Sequence, residues 1–174
     1  MEQPETYQDT RSTNGANELR WFRTSVGRIG LGPRPDDALM QALKTDGVSH
    51  IATVQTSDEQ AHAIKGLCET FDTQWVWLPI ENIRDSSKAE VAMLQKYLAE
   101  LRQILTQGGS VYLHCDKSRY RCRLMFYALC HHLKMPSSSA YPAMHSFSAD
   151  GANRIAREDL YWAADLGASV KYQA

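Results

Sequence analysis

The residues best suited to chemistry lie together in His114-Cys115-Asp116-Lys117-Ser118-Arg119-Tyr120-Arg121. A cysteine closes an apolar run, Val111-Tyr112-Leu113, and an arginine stands six positions further on, where a helix begins. A tight loop between a strand and a helix points backbone N–H groups at one centre, and the helix N-terminus favours negative charge there. The same field lowers the pKa of Cys115 and produces a thiolate, the nucleophilic form of the side chain. Arg121 adds a planar fork that can hold two oxygens of an oxyanion. This spacing therefore predicts anion binding beside a reactive sulfur. Lys117, Arg119 and Arg123 make the segment basic, which suits a multiply charged ligand, whereas the charge of Asp116 opposes one.

Those groups need a scaffold, and the periodicity of the chain supplies one. Asp36 or Asp37 can cap a helix carrying Leu39, Met40 and Leu43, stopped by Asp46-Gly47. Val48–Val54 is short, β-branched and apolar, as an interior strand is. Ser57 opens a helix with Ala61, Ile64, Leu67, Cys68 and Phe71 inward, and Gln74–Ile80 is the next strand. The loop Glu81–Ser87 leads to an amphipathic helix, Ala89–Gln107, and Gly108-Gly109 separate it from the strand Ser110–His114. Helices follow over roughly Cys122–Lys134, after Met135-Pro136, and over roughly Asn153–Leu166. Alternating strands and helices predict an α/β fold with a mostly parallel central sheet and helices on both faces. Chemistry in such sheets sits at the carboxyl ends of the strands, which singles out Glu81–Ser87 and Cys115–Arg121. The glycines of Gly27–Asp37 fit GxxGxG rather than GxGxxG, so a strand-to-helix turn is expected there, not a nucleotide cradle. Residues 1–17 lack apolar periodicity and are expected to form a mobile tail before a single domain over 18–174.

The segment His114–Arg121 resembles the His-Cys-(x)5-Arg signature of the cysteine-dependent protein tyrosine and dual-specificity phosphatases. The resemblance extends over about residues 20–147, through Gly30–Pro35, Gly47–Ile51 and Trp77–Ile80. It implies a dual-specificity-phosphatase-like fold and a phosphomonoester hydrolase that forms a phosphocysteine on Cys115. Arg121 would bind the phosphoryl group, and His114 would help set the thiolate pKa. His114, Asp116, Lys117, Ser118, Arg119, Tyr120 and Arg121 would line the substrate. The general acid would be Asp85, thirty positions before the cysteine, with Glu81 as the substitute. Two departures stand out. Ser118 replaces the usual glycine of the loop, and Cys122 replaces the hydroxyl residue that helps the thiolate leave. They favour an alternative, a pseudophosphatase that binds phosphate or a protein partner. A rhodanese-like sulfurtransferase is a further alternative, disfavoured by the His114-Cys115 pair and the arginine spacing.

Composition limits the rest. Hydrophobic residues make up 43% and charged residues 22%, which excludes a disordered or fibrous chain. A formal net charge of -1 argues against nucleic-acid binding through overall charge. No apolar run reaches the ~18–20 residues of a membrane span. The first residues are polar and acidic, so no secretory leader is expected, and a cytoplasmic location with reduced thiols is the default. No cofactor or metal is expected: the cysteines lack CxxC spacing, and His131-His132 has no third ligand nearby in sequence. The expected partner is a phosphorylated protein or a small phosphomonoester, including polyanionic ones. Cys68 and Cys130 read as packing residues, and Trp75 and Trp77 as core or a pocket wall.

Overall fold

The computed structural model describes residues 21–81, 88–116, 120–147 and 155–170. Its strands are β1 (Trp21–Arg23), β2 (Arg28–Leu31), β3 (His50–Thr53), β4 (Gln74–Trp77) and β5 (Ser110–His114). Its helices are α1 (Asp37–Thr45), α2 (Ala61–Thr70), α3 (Lys88–Thr106), α4 (Tyr120–His132), α5 (Ser137–His145) and α6 (Arg157–Ser169). The sheet order is β1-β2-β5-β3-β4, with β1 antiparallel to β2 and every other pairing parallel. The α/β architecture read from the sequence is therefore the one observed. The strand at its centre, β5, is the one that delivers Cys115.

Side-chain alternation along the strands divides the core into two layers. Ile51 and Tyr112 face Met40, Leu43, Ile64 and Cys68 of α1 and α2. Ala52, Val76, Val111 and Leu113 face the other way, onto Leu94, Leu98, Leu101 and Leu105 of α3 and the apolar residues of α4. Each fully buried leucine of α3 contributes roughly 1.5–3 kcal/mol, enough to fix that helix on the sheet. From Arg121 to Cys130, α4 is buried at every position, because the sheet covers one side and neighbouring helices the other. At Gly167 of α6 a Cβ would collide with the carbonyl of Ala128, so glycine permits α6 to lie close on α4. Among the described residues no helix is long and apolar enough to cross a membrane.

Three local differences from the sequence reading have physical causes. The turn-rich stretch after Gly27 contains an interior strand, β2, short and interrupted by Gly30 yet paired along its length with β5. The GxxGxG glycines serve packing: a Cβ on Gly32 would overlap the Tyr112 ring, whose hydroxyl donates to the Pro33 carbonyl at 2.5 Å. The helix expected from Ser57 is instead a 3₁₀ turn, Ser57–Glu59, followed by Gln60 at φ 66° and only then by α2. That turn proves to be part of the site. The expected tail over 1–17 lies outside the described residues.

Candidate functional site

Leu113 pairs with Leu31 and His114 with Thr53, so β5 ends between two parallel neighbours and Cys115 emerges at their carboxyl ends. The thiol is 1% exposed. The Cys122 thiol hydrogen-bonds it, and the Cys122 backbone N–H, in the first turn of α4, donates to Sγ at 3.4 Å. These contacts, with the charge of Arg121, hold the Cys115 pKa below the ordinary thiol value against burial and the charge of Asp116. Cys68 and Cys130 behave oppositely: burial pushes both up to about 12. Their environment makes them inert packing residues, whereas that of Cys115 favours the thiolate.

Arg121 is held from the turn after β3. Glu59 takes its guanidinium end-on, with Nη1 donating to Oε1 at 2.9 Å and Nη2 to Oε2 at 2.6 Å. Nη1 also donates to the Ile80 carbonyl at 2.6 Å, and Nη2 to Asp116 Oδ2 at 3.2 Å. Glu59 is itself oriented by Thr56, whose backbone N–H donates to Oε1 at 2.8 Å and whose hydroxyl donates to it at 3.3 Å. The hydrogen bond from Arg121 keeps the Glu59 carboxyl below its ordinary range, and Glu59 in turn raises the Arg121 pKa. Both groups are charged at neutral pH.

A second chain of contacts carries Arg34 to the loop. Its Nη1 donates to Gln55 Oε1 at 2.5 Å and to the Glu59 carbonyl at 3.2 Å, and Nη2 donates to the Gln60 carbonyl at 2.8 Å. Gln55 Nε2 then reaches the Cys115 carbonyl at 3.4 Å. Arg34 thereby pins the left-handed turn at Gln60 and, through Gln55, the backbone at Cys115.

His114 is fully buried, and its Nε2 lies 2.9 Å from the Thr53 hydroxyl, which also accepts from Trp75 Nε1 at 2.9 Å. Burial, reinforced by the charge of Arg34, lowers its pKa to about 3, so the ring is neutral at physiological pH. His114 Nε2 bonds Thr53 on β3, a backbone contact with Cys115 also reaches the ring, and the depression at the Cys115 thiol comes from Cys122 and Arg121. Trp75 and Trp77, read as core or pocket wall, are half-buried on β4, stacked with centroids 5.7 Å apart and edged by His62.

Of the residues singled out in the sequence, His114, Cys115, Asp116 and Arg121 come together, with Tyr120 opening α4. Glu81 is exposed and directly follows Ile80, whose carbonyl binds Arg121. Asp85, Lys117, Ser118 and Arg119 lie outside the described residues. Sequence reasoning missed Glu59, Thr56, Gln55 and Arg34. The Thr56-Ser57-Asp58-Glu59 capping-box pattern was the available signal, but it announces a helix start, not a partner for a distant arginine.

The β5–loop–α4 unit and this sheet define the fold of the protein tyrosine and dual-specificity phosphatases, with His114-Cys115 and Arg121 in a His-Cys…Arg arrangement. Kinase associated phosphatase, solved with its catalytic-site cysteine replaced by serine, superposes with a TM-score of 0.66 at 16% identity, covering 79% of this chain and 84% of its own. P. aeruginosa TpbA gives a TM-score of 0.64 at 15% identity over 96% of this chain and 93% of its own. PTPMT1, solved in complex with PI(5)P, gives 0.64 at 17% identity, covering 86% and 96%. No protein-family model matches the chain, and no curated protein matches it by sequence.

Proposed function

We propose that the protein is a phosphomonoester hydrolase of the tyrosine or dual-specificity type, acting through a phosphocysteine on Cys115. The observation that carries this reading is a buried thiol, depressed in pKa at a helix N-terminus, beside an arginine held in a fixed orientation. The electron pair of the Cys115 thiolate forms the S–P bond as the P–O bond to the leaving group breaks. The leaving oxygen takes a proton from a general acid, Asp85 or its substitute Glu81. Water then attacks phosphorus, the S–P electron pair returns to Sγ, and the conjugate base of the acid accepts the water proton. Arg121 meets the charge on the equatorial oxygens in both steps, and its fixed orientation means little reorganisation at the transition state. In the second step Cys122 stands where a hydroxyl would assist the departing thiolate.

The substrate is a phosphorylated protein or a small phosphomonoester, and the basic sequence around the loop favours a polyanionic one. The location proposed is cytoplasmic, where a nucleophilic thiol such as that of Cys115 is kept reduced. One observation favours the pseudophosphatase alternative: Asp116 already occupies one hydrogen of Arg121. The phosphatases it resembles in fold count against a sulfurtransferase. Hydrolysis of a generic aryl phosphate by wild type and Cys115→Ser tests the reading. Wild type turns over, and Cys115→Ser loses turnover to background while still binding phosphate, because serine keeps the shape without an acidic thiol. Equal activity in the two proteins overturns the covalent mechanism.

A further inference from the structure

A guanidinium has five N–H donors, and their use at Arg121 can be followed one by one. Glu59 takes one hydrogen from each terminal nitrogen, which closes the end-on edge. The Ile80 carbonyl takes the second hydrogen of Nη1, and Asp116 Oδ2 takes the second hydrogen of Nη2. Nε has no hydrogen-bond partner among the described residues. A phosphoryl group gripped by the fork needs two parallel donors along one edge. With the end-on edge closed by Glu59, that edge is Nε with Nη2, and Asp116 holds half of it.

The same carboxylate also lies against the sulfur: Cys115 Sγ is 3.9 Å from Asp116 Oδ1. One anionic group thus touches both side chains that a bound phosphoryl group would touch. The two carboxylates on Arg121 differ in kind. Glu59 is fastened by Thr56, grips Arg121 with both oxygens and is 30% exposed, whereas Asp116 meets Arg121 with one oxygen, lies against the thiol with the other and is 47% exposed. We propose that Asp116 is an internal competitor for the phosphoryl position, a carboxylate that must leave Arg121 before an oxyanion is gripped. Glu59 orients the arginine and Asp116 screens it, so substitutions at the two positions act in opposite directions on anion binding. The proposal rests on the reading of Cys115–Arg121 as a phosphoryl site, and it accounts for an acid placed where the ligand is negative.

The test compares wild type, Asp116→Asn and Asp116→Ser, with inorganic phosphate as the ligand and an aryl phosphate as the substrate. Loss of the competing charge tightens phosphate binding and lowers KM by about tenfold in both variants, with a smaller change in kcat. The advantage over wild type shrinks at high salt, which a purely structural effect would not do. Thermal melts establish that each variant is folded, and the serine variant guards against a new contact made by the carboxamide. Phosphate affinity unchanged or weakened in both variants, with wild type binding phosphate normally, overturns the proposal alone. Absence of phosphate binding in all three proteins overturns the phosphoryl-site reading and the proposal with it.

Discussion

The loop after β5 and the turn after β3 both end on Arg121, but they reach it by different means. The first is contiguous: Cys115, Asp116, Arg121 and Cys122 are held close by the shortness of the chain between a strand and a helix. The second crosses the sheet, bringing Glu59 to a residue 62 positions away through the parallel pairing of β3 with β5. The contiguous part supplies the reactive groups, and the distant part decides how one of them is aimed. A guanidinium on a flexible stem is a poor electrostatic catalyst until its plane is fixed. The turn after β3 fixes it, through a carboxylate that Thr56 has already oriented.

Breaking the distant half has the largest effect expected from a residue that itself carries no chemistry. Glu59→Gln keeps the shape but removes the charge and one of the two acceptors, so one hydrogen bond from Arg121 is lost and the other weakened, at a cost on the order of 2 kcal/mol. If that loss falls on transition-state stabilisation, kcat/KM for an aryl phosphate drops about 30-fold. The loss appears both in kcat and in phosphate affinity, with the melting temperature lowered only slightly. A full-rate Glu59→Gln enzyme would show that Arg121 needs no support from β3.

The same contrast explains what was legible in the sequence. Central strand β5 stood out as an apolar run between Gly108-Gly109 and a polar loop, and its bounds, Ser110–His114, are those observed. The cysteine and arginine were legible because their relation is a spacing along the chain. Glu59 was not, because its role is a relation across the sheet, and its local pattern reads equally well as a helix start. Strand β2 was hidden by its own glycine: Gly30 supplies no side chain to mark a strand, and its place beside β5 is set by tertiary pairing. His114 was legible as a residue beside the loop, but its bond to Thr53 is a relation across the sheet, set by alternation along β5. In the sequence the charge of Asp116 only opposes an anion, and the geometry at Nη2 gives that charge a contact.

Smaller effects sharpen the contiguous half. Cys122 is bonded to Cys115 through its thiol and its backbone N–H. Only the thiol changes on substitution, and a hydroxyl is the stronger donor. Cys122→Ser is therefore expected to raise the steady rate several-fold by helping the Cys115 thiolate leave, with the rate of phosphoenzyme formation nearly unchanged. Stopped-flow release of a chromogenic leaving group separates the two steps; a steady rate unchanged or lowered in Cys122→Ser would make Cys122 a packing residue. Thr56→Val, which removes only the hydroxyl contact to Glu59 and leaves the backbone N–H in place, is expected to cost the least, about two- to threefold in kcat/KM.

The most direct measurement is to trap the covalent intermediate. Wild-type protein mixed with a radiolabelled aryl phosphate and quenched in acid within the first turnover is expected to retain label on Cys115, located by peptide mapping. Label is expected to accumulate in step with a burst of leaving group, because the proposed phosphocysteine would break down without help from a hydroxyl at position 122. Cys115→Ser should retain none. Turnover by wild type without labelled protein, or equal labelling of Cys115→Ser, would contradict phosphoryl transfer to Cys115.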